Sequence, residues 1–107
     1  MLNKYVKKKW IDALRSGKYT KTTHEMRVQR NGKSCFCALG VLCDVIDSKR
    51  WEVHSGYYRW GNSWAIIPGR TRNAIHITEK ECLSILNLND SKRKSFNEIA
   101  DWIEENL

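Results

Sequence analysis

One proline and six glycines are all that punctuate the 107 residues. That is too few for a proline-rich linker or a collagen-like array, and no repeat or low-complexity tract takes their place. A long apolar run is missing too. The longest, residues 35–46, is interrupted by Asp44 and falls well short of the roughly 20 residues that a membrane-spanning helix needs. Lys4, Lys7, Lys8 and Lys9 lead into Trp10-Ile11-Asp12-Ala13-Leu14-Arg15 instead of an apolar stretch, so neither a signal peptide nor a membrane partner is expected. The expected location is the cytoplasm. The four cysteines, Cys35, Cys37, Cys43 and Cys82, contain no Cys-x-x-Cys pair, and free, buried thiols are expected in place of disulfides.

What is present is ordinary globular material, with 41% hydrophobic and 29% charged residues. One domain spanning residues 1–107 is expected, large enough to bury a modest core. The net charge of +7 is unevenly spread. Residues 1–34 hold ten Lys/Arg and two acids, whereas residues 78–107 hold four Lys/Arg and seven acids. A basic front and an acidic tail suit either an anionic partner at one end or head-to-tail pairing in a homo-oligomer.

The periodicities predict an α+β fold. Leu2, Val6, Trp10, Ala13 and Leu14 fall on one face of a helix over residues 3–16, which Gly17 stops. Asn31-Gly32 suits the two positive-φ positions of a type I′ turn, so residues 24–30 and 33–37 read as a β-hairpin. A central buried helix follows at 38–47, with Leu39, Val41, Leu42, Val45 and Ile46 apolar. Residues 51–54, 57–60 and 64–67 read as an antiparallel β-meander, separated by Ser55-Gly56 and Gly61-Asn62 and closed by Pro68-Gly69. Residues 69–77 carry no clear period. Capping boxes at Thr78/Glu81 and Ser95/Glu98 then open two helices, a C-terminal helical hairpin turning at Asn89-Asp90-Ser91.

Three constellations bear on chemistry. Cys37 at the start of the central helix is placed where a helix dipole can lower a thiol pKa, with His24, His54 or His76 as base, but no flanking pattern marks a partner. The same cysteines and histidines lack the paired spacing of a structural zinc site. The richest constellation is aromatic and basic: Trp51, Tyr57, Tyr58, Arg59, Trp60 and Trp64, followed by Arg70 and Arg72. Rings that stack on bases beside cations that meet phosphate are what an anionic nucleotide ligand requires. Burial of Trp51, Trp60 and Trp64 as sheet core is the competing reading. Duplex DNA is not an expected partner, because the central helix is too apolar to read a groove and no helix-turn-helix spacing occurs.

Several blocks together resemble a family of small proteins encoded by tailed bacteriophages and prophages. They are Trp10 with Ala13-Leu14-Arg15-Ser16-Gly17-Lys18-Tyr19, Cys37-Ala38-Leu39-Gly40-Val41-Leu42-Cys43-Asp44, Trp51, Pro68, Leu86-Asn87-Leu88-Asn89-Asp90, and Ser95-Phe96 with Ile99-Ala100-Asp101 and Ile103-Glu104. The resemblance weakens between Asn62 and Ile77. It implies an accessory protein at work in the host cytoplasm and no particular activity. Joined to the aromatic–basic cluster, it gives the expectation of a non-enzymatic protein, without cofactor or metal, that counters host defence by sequestering a nucleotide-type signalling molecule. The alternatives are a stoichiometric inhibitor of a host defence protein and a cysteine hydrolase using Cys37.

Overall fold

In the computed structural model, which describes residues 1–55 and 57–107, Asn3 opens the first helix. Its side-chain oxygen accepts the backbone N–H groups of Tyr5 and Val6 at 2.9 and 3.1 Å, satisfying two donors at the start of α1 (Lys4–Arg15). The buried face of α1 holds Trp10, Ile11 and Leu14, and Gly17 ends the turn at a φ of +75°. A short strand, β1 (Thr20–Lys21), leads to the hairpin of β2 (Arg27–Arg30) and β3 (Lys33–Phe36). Asn31 and Gly32 both have positive φ, as the type I′ turn demands. The sheet order is β1-β3-β2, with β1 parallel and β2 antiparallel to β3.

The central helix α2 (Ala38–Ile46) lies in the middle of the core, with residues 38–43 all buried. Burying each large side chain there contributes about 1.5–3 kcal/mol. Two close approaches fix its position. Trp10 Nε1 donates to the Ala38 carbonyl at 2.9 Å. Gly40 lies so close to Met26 that a Cβ at this position would sit 1.7 Å from the Met26 carbonyl oxygen. That oxygen already accepts the Cys37 N–H at 3.1 Å, so strand and helix meet backbone to backbone.

The aromatic segment forms a two-stranded ribbon, β4 (Trp51–His54) with β5 (Tyr57–Trp60), and not the full three-stranded meander expected. Residues 64–67 spend their hydrogen bonds elsewhere. Gly61 and Asn62 make a positive-φ turn that closes on Trp60 and Ser63, the Trp64 carbonyl accepts the Met26 N–H at 3.0 Å, and the Ser63 hydroxyl donates to the Ile66 carbonyl. Pro68 has no donor to offer a ladder. Of the expected Ser55-Gly56 turn, Ser55 shows a φ of +51° and Gly56 lies outside the described residues.

Residues 69–75, which show no clear period, form α3 (Gly69–Ile75), whose last carbonyl accepts the Asn3 N–H at 2.9 Å. Then come α4 (Glu79–Leu86) and α5 (Phe96–Asn106), each opened by its expected capping box with all four reciprocal bonds present. A π-helical turn over Asn87–Ser91 links this pair. Each helix finds its main helical support elsewhere: α5 lies along α1, and α4 packs on α2. Among the described residues the result is an α+β domain of five α-helices and two small sheets. Among the described residues no helix is long and apolar enough to cross a membrane.

Candidate functional site

Alternation along the β4–β5 ribbon sorts the aromatic cluster into two faces. Cross-strand partners are Trp51↔Trp60, Glu52↔Arg59, Val53↔Tyr58 and His54↔Tyr57. Side chains two apart share a face, so Trp51, Val53, Tyr58 and Trp60 lie on one side and Glu52, His54, Tyr57 and Arg59 on the other.

The inner face is structural. Trp60 is fully buried, with Nε1 donating to the Asp47 carbonyl at 3.1 Å and the Arg50 guanidinium 4.6 Å from its ring. Trp51 and Tyr58 are half-buried members of an edge-to-face ladder that runs Tyr19, Phe36, Trp51, Tyr58 with centroid spacings of 5.0, 6.1 and 6.3 Å. The cation in this ladder is Arg27, whose guanidinium lies 4.1 Å from the Tyr58 ring centroid, 5.2 Å from Phe36 and 5.4 Å from Trp51. Ser34 Oγ accepts from Arg27 Nη2 at 2.9 Å and holds the fork in place. Asp44 anchors the far end, accepting the Tyr19 hydroxyl at 2.5 Å and Trp51 Nε1 at 3.0 Å. Burial, followed by the bond to Asp44, pushes the Tyr19 phenol well above its ordinary value.

The outer face is open. Tyr57 and Trp64 are each 53% exposed, with ring centroids 6.0 Å apart and planes at 81°. Together with Arg59, His54 and Ser55 they line a cleft of about 350 Å³. Glu52 pairs with His54, carboxylate to Nε2, at 3.5 Å. A planar ligand can stack on a ring here and meet the Arg59 guanidinium.

Of the eight candidate residues, then, three come together at an open site: Tyr57, Arg59 and Trp64. Trp51, Tyr58 and Trp60 serve the interior. Arg70 is exposed on α3 away from the cleft lining, and Arg72 turns back to donate to the Ile67 carbonyl at 2.6 Å. Arg27 and His54 are the residues that composition alone did not place in the aromatic groups.

The cysteine chemistry finds no support. Cys37 is 1% exposed, its sulfur accepts the Gly40 N–H at 3.4 Å, and burial pushes its thiol up to about 12. The helix N-terminus lowers it, but desolvation outweighs that. All four cysteines are free and buried, and among the described residues no group of His, Cys, Asp and Glu is arranged to hold a metal ion.

The remaining sequence blocks lock the fold. Asn89 is fully buried: its oxygen accepts the Ala38 N–H at 3.0 Å, and its Nδ2 donates to the Thr22 carbonyl at 2.9 Å and to Asp90 at 2.8 Å. Arg15 reaches Asp101 at 2.7 Å and Glu104 at 3.6 Å, so part of the basic front meets the acidic tail within one chain.

A family model matches residues 2–107. The chain belongs to that family, described as Domain of unknown function (DUF8296). The DUF8296 match takes in both the Asp44 and Asn89 anchors and the outer-face cleft. The chain matches no curated protein and no solved structure.

Proposed function

We propose that this DUF8296 domain is a non-enzymatic binding protein that holds a planar, anionic ligand of nucleotide type in the cleft of Tyr57, Trp64 and Arg59. The observation that carries this reading is the exposure of two aromatic rings beside a guanidinium, on the one face of the ribbon that the core does not need. Stacking contributes about 1–3 kcal/mol per base, and an arginine adds directed hydrogen bonds to a phosphate. With the resemblance to phage-encoded accessory proteins, the role is sequestration of a nucleotide-type immune signal in the host cytoplasm. Isothermal titration against cyclic and linear nucleotides tests it. Saturable one-site binding supports the reading, and absence of heat at high micromolar ligand removes it.

A second reading draws on Val53, which is 62% exposed at the tip of the same ribbon as Tyr57. Exposed apolar groups on both faces of the ribbon suit a protein partner, which would make the domain a stoichiometric inhibitor of a host defence protein. Capture of one partner at fixed stoichiometry, lost in Val53→Asp and retained in Arg59→Ala, distinguishes this from nucleotide binding.

A further inference from the structure

The charge and shape of the outer-face cleft narrow its ligand. Tyr57 and Trp64 stand edge to face, at 81° and 6.0 Å. A base sandwiched between two rings needs them parallel, with about 3.5–4.0 Å of clearance on each side. Perpendicular rings at this spacing leave no such slot, so one base can stack on one open ring face and touch the edge of the other. The cavity, at about 350 Å³, also stands at the small end of ligand sites, which span about 300–1,000 Å³. Both features point to a single base.

Charge points the same way. Arg59 is the one arginine among the described residues lining the cleft. The other expected phosphate ligands are absent from it: Arg72 is spent on the Ile67 carbonyl and lines a separate hollow with His76 and Glu79, and Arg70 lies elsewhere on α3. Opposite Arg59 in the ribbon register stands Glu52, on the same face and 3.5 Å from His54. Arg59 and Glu52 therefore place one positive and one negative charge side by side on the ribbon's outer face. Arg59 can neutralise one phosphate charge, and among the described residues lining the cleft no second arginine or lysine offsets the repulsion between a further ligand charge and the Glu52 carboxylate.

We propose that the cleft selects a ligand with one base and one negative charge, as in a cyclic mononucleotide, and rejects nucleoside polyphosphates, with Glu52 as the discriminating residue. This rests on the nucleotide-binding reading above and fixes the class of ligand within it.

The test compares 3′,5′-cyclic adenosine monophosphate with adenosine triphosphate, titrated into the whole protein in magnesium-free buffer at low salt. The cyclic monoanion should bind at least about tenfold more tightly, because like charges brought together at a binding site are strongly disfavoured. Glu52→Gln, at an exposed position, should narrow that ratio about threefold or more by strengthening triphosphate binding, an effect that fades as salt screens it. Triphosphate binding equal to or tighter than the cyclic nucleotide, or a ratio that Glu52→Gln leaves unchanged, would overturn the charge selection while the nucleotide reading stood. Binding of neither probe nor of any other mononucleotide would remove the nucleotide reading itself.

Discussion

The Asn89 side-chain oxygen accepts the Ala38 backbone N–H at 3.0 Å, so a fully buried amide 51 residues downstream satisfies the first turn of α2. The same amide donates to the Thr22 carbonyl at 2.9 Å, and the Asn89 carbonyl in turn accepts from Lys21 Nζ at 2.9 Å. One residue thus fastens the π-helical turn to the end of β1 and to the central helix. Removing it strands polar groups in a dry interior, the costly way to lose a hydrogen bond. Asn89→Ala should lower unfolding free energy by about 3 kcal/mol, read as a fall in urea midpoint at unchanged m-value. Asn89→Asp should fare little better, since the carboxylate brings charge and cannot donate to Thr22.

Gly40 offers a sharper test of packing. In an exposed helix a Gly→Ala change stabilises by about 0.5–1 kcal/mol. Here the new methyl would lie 1.7 Å from the Met26 carbonyl oxygen, and that oxygen is held by the Cys37 N–H. Gly40→Ala should therefore reverse the usual sign and destabilise by about 3 kcal/mol, as overpacking at a rigid contact does. A gain in thermal midpoint would show that α2 does not sit this close to the hairpin.

Arg27 should matter for stability and not for the outer-face ligand. Its guanidinium lies over Tyr58, Phe36 and Trp51, on the inner side of the ribbon. Arg27→Ala should cost about 1–2 kcal/mol in urea unfolding, the range for partly desolvated cation–π contacts, while nucleotide affinity stays within about twofold. Arg27→Lys should restore little, because an ammonium lacks the planar fork that spans Ser34 and three rings.

The cysteines set a pH dependence. Burial raises Cys37 to about 12 and Cys82 to about 11 from an ordinary 9.0, so the native state keeps protons that the unfolded chain releases. Where the unfolded state binds fewer protons, stability falls with rising pH. Stability should be insensitive to these groups below pH 9 and drop between pH 9 and about 12. Cys37 should also resist iodoacetamide at pH 8 in the native protein and react fully in urea. Fast native alkylation would restore it as a nucleophile.

Legibility in the sequence followed locality. Both capping boxes, the Asn31-Gly32 turn, the α1 stripe and the apolar α2 are written within a few residues of one another, and each forms. Strand β1 was invisible because two residues pairing in parallel with β3 leave no periodic mark. Residues 64–67 are apolar enough for a strand, but whether they pair depends on Met26, far away in sequence, which takes the Trp64 carbonyl. Composition marks the aromatic segment but does not say which rings face the core. Tyr57 and Tyr58 are neighbours in a strand and must point oppositely, so strand alternation alone separates the ladder from the cleft. Arg27 carries no such signal, since its rings come from β3, β4 and β5.

The most direct measurement follows the five tryptophan indole Nε1–H resonances of ¹⁵N-labelled protein during titration with a cyclic mononucleotide. The expected result is a saturable shift of the Trp64 signal, abolished by Arg59→Ala, with Trp10 and Trp60 unmoved because their indoles are bonded to the Ala38 and Asp47 carbonyls inside the core. A Trp64 resonance that stays fixed with every nucleotide at millimolar concentration would contradict ligand binding at the outer face of the ribbon.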